Sequence, residues 1–214
     1  MEIKLNDIDL LLLPQKTLYI PLYKILCIAD WHLGKAAHFR KHGIPLPQPK
    51  RDKGFEVFEN LIATYHTNTV LFLGDLFHSV KNNEWNVFHS FIQQHHTVDF
   101  ILVKGNHDII SDEDFQNVGI MVAKELIIED QLCFTHHPLY ERTPKDFLNI
   151  SGHIHPACVI EQKARQSVRL PCFYYRYGTL LLPAFGEMTG MHVLPYQAQD
   201  VVFPIVHDEV IKLQ

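Results

Sequence analysis

Val70-Leu71-Phe72-Leu73-Gly74-Asp75-Leu76-Phe77-His78 is the stretch that decides the fold. Its first four residues are apolar without alternation, the pattern of a strand buried on both faces. Gly74 permits a sharp turn, and Asp75 stands where the strand ends. A carboxylate at the mouth of so apolar a run is costly to desolvate unless a positive charge meets it. In open α/β sheets, ligands collect beyond the carboxyl ends of the strands. Asp75 is therefore read as a metal ligand, possible bridge between two ions, and neighbouring strands should end in further ligands.

Working outward, two more apolar runs behave alike. Residues 24–29 end in Asp30-Trp31-His32-Leu33-Gly34-Lys35, and residues 99–103 end in Lys104-Gly105-Asn106-His107-Asp108. Residues i and i+2 of an extended segment point the same way, so Asp30 and His32 can converge while Trp31 packs elsewhere. Between these runs lie helical stripes, Phe55, Phe58, Leu61, Ile62 and Tyr65 in one, Trp85, Phe88, Phe91 and Ile92 in the next. Strand, motif and helix in alternation imply βαβ units and a parallel sheet. A hairpin over residues 8–13 and 17–20 precedes them.

After Ser111 the pattern changes to short strands. Residues 121–123, 126–129 and 132–135 are divided by turns, and the last run ends at His136-His137-Pro138. Residues 149–151 lead into Gly152-His153-Ile154-His155-Pro156. A meander follows over 157–160, 168–177 and 179–182, with a turn at Pro183-Ala184-Phe185-Gly186, and residues 201–205 and 209–213 close the chain. His89, His95 and His96 fall at a helix and its end, where polar residues are ordinary.

A length of 214 residues is most simply one domain, spanning 1–214. The apolar run at residues 10–13 stops at Pro14, too short for a signal-peptide core, and no run approaches the ~18 residues of a membrane span. The expected location is the cytoplasm. Four scattered cysteines, Cys27, Cys133, Cys158 and Cys172, read as buried free thiols. A net charge of −5 argues against bulk attraction to nucleic acid, although bound cations change the local field. Residues 35–53 run against that balance, with Lys35, Arg40, Lys41, Lys50, Arg51 and Lys53 against one acid, Asp52. Pro45, Pro47 and Pro49 make the second half extended. This stretch is either a solvated loop or a cationic arm that positions phosphates.

Five motifs thus follow strands in chain order: Asp30-x-His32, Gly74-Asp75-x-x-His78, Gly105-Asn106-His107-Asp108, His136 and Gly152-His153-x-His155. Each alone is weak; together, in the same context, they are specific. The donors are carboxylate, imidazole and amide without thiolate, which favours manganese, iron, cobalt or zinc over calcium. Two such ions can share a carboxylate, clamp a phosphoryl oxygen and acidify a bound water.

The five motifs resemble those of the calcineurin-like metallophosphoesterases over roughly residues 25–155. The resemblance implies a four-layer α/β/β/α fold, a two-sheet β-sandwich flanked by helices, and hydrolysis of phosphoesters with two divalent ions, manganese first. It implies Asp30, His32 and His155 on one ion, Asn106, His136 and His153 on the other, and Asp75 bridging. His107 would protonate the leaving oxygen, with Asp108 orienting its ring, and His78 would touch substrate or support a ligand. A narrower resemblance, carried by residues 29–37, Phe39-Arg40, Gly43-Ile44-Pro45-Leu46-Pro47 and Leu182-Pro183-Ala184-Phe185-Gly186, is to the bacterial ligase-associated DNA damage response endonucleases. Trp31 stands where those relatives often carry a smaller or aliphatic residue. This resemblance implies DNA as substrate and a DNA ligase, a helicase and an exonuclease-like protein as partners; read as a cationic arm, the basic stretch would contact substrate through Arg40, Lys41, Lys50 and Arg51. The competing readings are a phosphodiesterase or phosphomonoesterase of small nucleotides and a non-catalytic scaffold.

Overall fold

The apolar run before Asp75 lies in the parallel half of a mixed sheet in the computed structural model, which describes residues 1–41, 43, 45, 52–78, 81, 83–144, 146–161 and 167–213. This first sheet holds β1 (Glu2–Leu5), β2 (Ile8–Leu13), β3 (Thr17–Ile20), β4 (Ile25–Ile28), β5 (Thr69–Phe72), β6 (Asp99–Val103) and β7 (Ile120–Ala123) in chain order. The first four strands pair antiparallel, and β4 to β7 pair parallel. Parallel neighbours need crossovers. These contain α1 (Lys35–Lys41) and α2 (Lys53–Thr64), then α3 (Asn83–Gln94), then α4 (Asp112–Asn117). The Asp52 side chain starts α2 by accepting the Gly54 N–H at 2.7 Å, and Ser111 caps α4 through the Asp114 N–H at 3.1 Å.

The second sheet is built from β8 (Glu125–Ile128), β9 (Leu132–Thr135), β10 (Leu148–Ser151), β11 (Pro156–Glu161), β12 (Ser167–Arg176), β13 (Thr179–Leu181), β14 (His192–Val193), β15 (Val201–Val206) and β16 (Glu209–Val210). Its order is β14-β11-β12-β13-β10-β9-β8, with β15 beside β12 and β16 beside β15. β10 runs parallel to both β9 and β13.

Two large cores explain the layers. One joins the sheets face to face, through Leu12, Cys27, Leu71 and Val103 of the first and Phe134, Ile150, Phe173 and Leu180 of the second. The other fills the space between the first sheet and its helices with Trp31, Phe55, Phe58, Phe72, Phe88, Phe91 and Phe115. Each buried side chain of this size contributes roughly 1.5–3 kcal/mol before entropy is counted. A smaller cluster of Cys172, Tyr174, Leu181 and Val202 in the second sheet is covered by Tyr140 of the 3₁₀ turn Tyr140–Arg142 and by Ile154, Leu194 and Leu213.

The two-sheet α/β sandwich and its parallel βαβ half agree with expectation. The stretch read as a loop or arm begins instead with a helix, α1, while Pro47, Pro49, Lys50 and Arg51 lie outside the described residues. The strand at residues 120–123, read with the short strands after Ser111, joins the first sheet instead, because β6 continues the parallel ladder onto it. All four cysteines are free, and Cys158 alone is partly exposed. Among the described residues, no helix is long and apolar enough to cross a membrane.

Candidate metal centre

The ligand candidates leave the strands in a tight backbone form. Asp30, His32, Asp75, His153 and His155 all have positive φ, between 51° and 67°. Asp and His enter this left-handed region more readily than bulkier residues, at some cost in strain. Gly74 (φ 79°) precedes Asp75, and a Cβ there would lie 2.2 Å from His136 Nδ1. At Gly105 a Cβ would lie 2.3 Å from an Asp75 carboxylate oxygen. The glycines beside these motifs are what lets strand ends from two sheets approach one another.

That approach brings the predicted residues together. Asp75 directs Oδ2 to within 3.9 Å of His32 Nε2 and Oδ1 to within 3.5 Å of His136 Nε2. Asp30 Oδ1 lies 3.2 Å from His155 Nε2, and Asp30 Oδ2 accepts the His153 N–H at 2.9 Å. His136 Nδ1 sits 2.9 Å from the Leu73 carbonyl, an acceptor only, so Nδ1 carries the proton. Its Nε2 faces the Asn106 amide oxygen at 3.1 Å and His153 Nδ1 at 3.2 Å. Asp30, His32 and His155 form one group with ligand atoms close enough to share an ion, and Asp30, Asp75 and His136 form another.

The donor atoms fit divalent cations. Asp30 Oδ1, both ring nitrogens of His32 and His155 Nε2 are buried without a hydrogen-bond partner among the described residues. Buried polar atoms are seldom left unpaired, and lone pairs that face each other repel unless a cation lies between them. Burial pushes the His32 imidazole down to about 3, well below its ordinary value, against the pull of the Asp75 carboxylate. His153 is also lowered, by burial and then by the rings of His137 and His136. Neutral imidazoles are the form that ligates.

The remaining candidates fall differently. His107 is exposed, its ring 5.7 Å from that of His32, and its backbone N–H donates to Asp75 Oδ1 at 2.9 Å. The half-buried His78 has its ring 5.8 Å from His32 and 6.2 Å from His107. Asp108 does not orient His107 as expected. Its carboxylate accepts the N–H groups of Asp75 (2.8 Å), Leu76 (2.9 Å), Phe77 (3.3 Å) and Gly105 (2.8 Å), which uses up its acceptor capacity. Arg40 lies half-buried in α1, which also contains Lys41, and Lys50 and Arg51 are outside the described residues.

Two residues near the centre escaped the sequence reading. His137 forms a third group with His136 and His153, its ring centroid 4.0 Å from that of His153; its position directly after a ligand candidate was the available signal. Lys35, grouped with the basic stretch, feels the Asp75 carboxylate strongly enough to offset part of its burial cost. Trp31 packs among Phe55, Phe58 and Phe185, and its indole N–H donates to Asp52 at the start of α2.

The sequence model of the calcineurin-like phosphoesterases matches residues 23–171. Among solved structures, the chain is similar to the Pseudomonas putida nuclease MPE, with 24% identity, a TM-score of 0.79 and coverage of 100% of this chain and 99% of that one. It is also similar to Yfce, a phosphoesterase from E. coli, at 16% identity and a TM-score of 0.43 over 88% of this chain and 97% of that one. No curated protein sequence matches it. The first likeness establishes the fold, and the second carries no weight. By the residues matched and the fold they form, the chain belongs to the calcineurin-like phosphoesterase family and is a metal-dependent phosphoesterase.

Proposed function

We propose that this protein hydrolyses phosphodiester bonds of nucleic acid, DNA first, with two divalent ions, manganese before iron, cobalt or zinc. The observation that carries the two-ion reading is Asp75, whose two carboxylate oxygens face different donor groups. Asp30, His32 and His155 would hold one ion, Asn106, His136 and His153 the other, with Asp75 shared. Bound there, the ions would polarise a phosphoryl oxygen and make water acidic enough to ionise near neutral pH.

The protein's own groups do the rest. His107 is exposed beside the centre and supplies a proton to the leaving oxygen. Asp108 acts indirectly, by fixing the backbone that carries Asp75 and bends residues 105–108 beneath it. The open setting of Asn106 and His107 suits a polymer better than an enclosed metabolite. The name of the nuclease from Pseudomonas putida, similar along its whole length, supports the same substrate class. A place in DNA repair beside a ligase, a helicase and an exonuclease-like protein rests on the narrower sequence resemblance. The reading treats residues 1–214 as one catalytic unit.

The test pairs two variants. Asp75→Ala should lose bound metal and at least about a hundredfold of the turnover of bis(p-nitrophenyl) phosphate, a larger effect than the loss of an outer-shell partner. His107→Ala should keep its metal, by elemental analysis, and lose about 10²–10⁴-fold in turnover. Full activity in Asp75→Ala would end the two-ion reading, and metal loss in His107→Ala would end the proton-donor role. A panel of DNA, RNA and nucleotide diesters with manganese tests the substrate class.

A further inference from the structure

A cleft of about 220 Å³ opens next to His155, between the turn joining β2 to β3 and the loop that follows β13. That is below the roughly 300–1,000 Å³ of a self-sufficient ligand site, so it suits part of a larger molecule that also occupies the metal centre. Lys16, from the turn, lines it on one side, and Thr189 and Met191 on the other. We propose that this cleft is a subsite for an uncleaved phosphate of the nucleic-acid strand, held by the Lys16 ammonium and the Thr189 hydroxyl. The proposal rests on the reading of the protein as a nucleic-acid phosphodiesterase.

Two independent features point to an anion there. Lys16 is half-buried, and its ammonium has no hydrogen bond or ion pair among the described residues. A desolvated charge without a partner is costly, and a phosphate oxygen relieves that cost. Burial holds the amine below the usual lysine range, opposed by Glu187, an exposed carboxylate that also lines the cleft and whose charge solvent screens. Second, Thr189 Oγ1 is buried with no hydrogen-bond partner among the described residues. Thr189 lines the cleft, and rotation about its Cα–Cβ bond would turn this unpaired hydroxyl toward a phosphate oxygen bound there.

The cleft is fixed to the metal centre. The Phe185 N–H donates to the Ala29 carbonyl at 2.8 Å, and the Gly186 N–H to the Asp30 carbonyl at 3.2 Å. The rings of Trp31 and Phe185 meet edge to face at 5.0 Å, and a Cβ on Gly186 would lie 2.3 Å from the Trp31 carbonyl. The wall carrying Thr189 therefore moves with the segment carrying Asp30. Lys16 is held from the other side, where its N–H donates to the Leu13 carbonyl at 3.1 Å in a left-handed turn. A neighbouring phosphate of a strand bound at the metals falls beside His155, which both sites share.

The test uses the manganese-loaded holoenzyme and one assay, inhibition of bis(p-nitrophenyl) phosphate hydrolysis by a short oligodeoxythymidylate over a range of NaCl concentrations. Lys16→Met should raise the inhibition constant about tenfold and reduce its logarithmic salt slope by about 0.7, the share of one phosphate contact on a single strand. Thr189→Val should raise the constant by a smaller factor, and Lys16→Arg should restore most of the wild-type value. The KM for the small ester should change less than the inhibition constant in all three. Wild-type constants and slopes in both Lys16→Met and Thr189→Val would overturn the subsite while leaving the nuclease reading intact. A wild-type enzyme that hydrolyses the ester but neither binds nor cuts the oligonucleotide would overturn the nuclease reading, and the subsite with it.

Discussion

Asp108 spends its buried carboxylate on four backbone N–H groups, those of Asp75, Leu76, Phe77 and Gly105. Residues 75–77 have just left β5; the carbonyls of Asp75 and Leu76 accept from His32 and Leu33, and the side chain from the next strand end serves the N–H groups of all three. Burial raises the carboxyl above its usual value, and these N–H bonds oppose the shift. Each donor stranded by its removal costs about 1–3 kcal/mol, less where water enters. Asp108→Ala should therefore lower the unfolding free energy by about 3–5 kcal/mol in urea titrations, with Asp108→Asn intermediate. A change below ~1 kcal/mol would mean that the loop has other means of support. The sequence offered Asp108 as a neighbour of His107, but its partners depend on how residues 105–108 curl under another strand.

At the scale of elements, the strands that carry the candidate ligands were legible because each is an apolar run ending in a glycine or polar motif. Helices α2 and α3 were legible from their aromatic stripes. Helix α1 was not, since Lys35–Lys41 is basic, carries no clear apolar stripe and precedes a proline-rich stretch. Nor was the clasp between β12 and the segment before β15, whose members lie far apart in the chain. There the Arg176 guanidinium meets both oxygens of Asp200, Nε at 2.8 Å and Nη2 at 2.6 Å, while the Tyr174 hydroxyl donates to the same carboxylate at 2.6 Å. Arg176 first, and then Tyr174 and the Gln197 N–H, hold the Asp200 carboxyl below its usual 3.8 against its burial. A carboxyl depressed in the folded state contributes stability above its unfolded value, and that contribution is lost as pH falls through the lower folded value. Asp200→Asn should therefore melt earlier than the wild type at neutral pH and show a smaller further loss on acidification below about pH 4. Parallel melting curves for the two proteins across that acid range would contradict the clasp.

On the scale of the whole molecule, the centre lies on the seam between the sheets. Asp30, Asp75 and Asn106 follow β4, β5 and β6, whereas His136, His153 and His155 follow β9 and β10. The seam is stitched by His136 Nδ1–H to the Leu73 carbonyl and by the His153 N–H to Asp30. An ion held from both sides binds only the docked state, so it should stabilise the whole fold by linkage, about 2.7 kcal/mol at a hundredfold excess over Kd. Removing metal by dialysis against a chelator should lower Tm, and manganese should restore it in the wild type but not in Asp75→Ala. Equal Tm with and without metal would mean that no ion binds the folded state in preference to the unfolded chain.

The seam also sets an order of events during synthesis. All seven strands of the first sheet are encoded by residue 123, while the histidines that complete the centre come between 136 and 155. A ribosome-bound chain can therefore build its first sheet, with Asp30 and Asp75 in place, while still lacking three of the seven candidate donors. Hydrolytic capacity therefore arrives late, after the second sheet has closed over the first, and a partly made copy of this phosphoesterase lacks it.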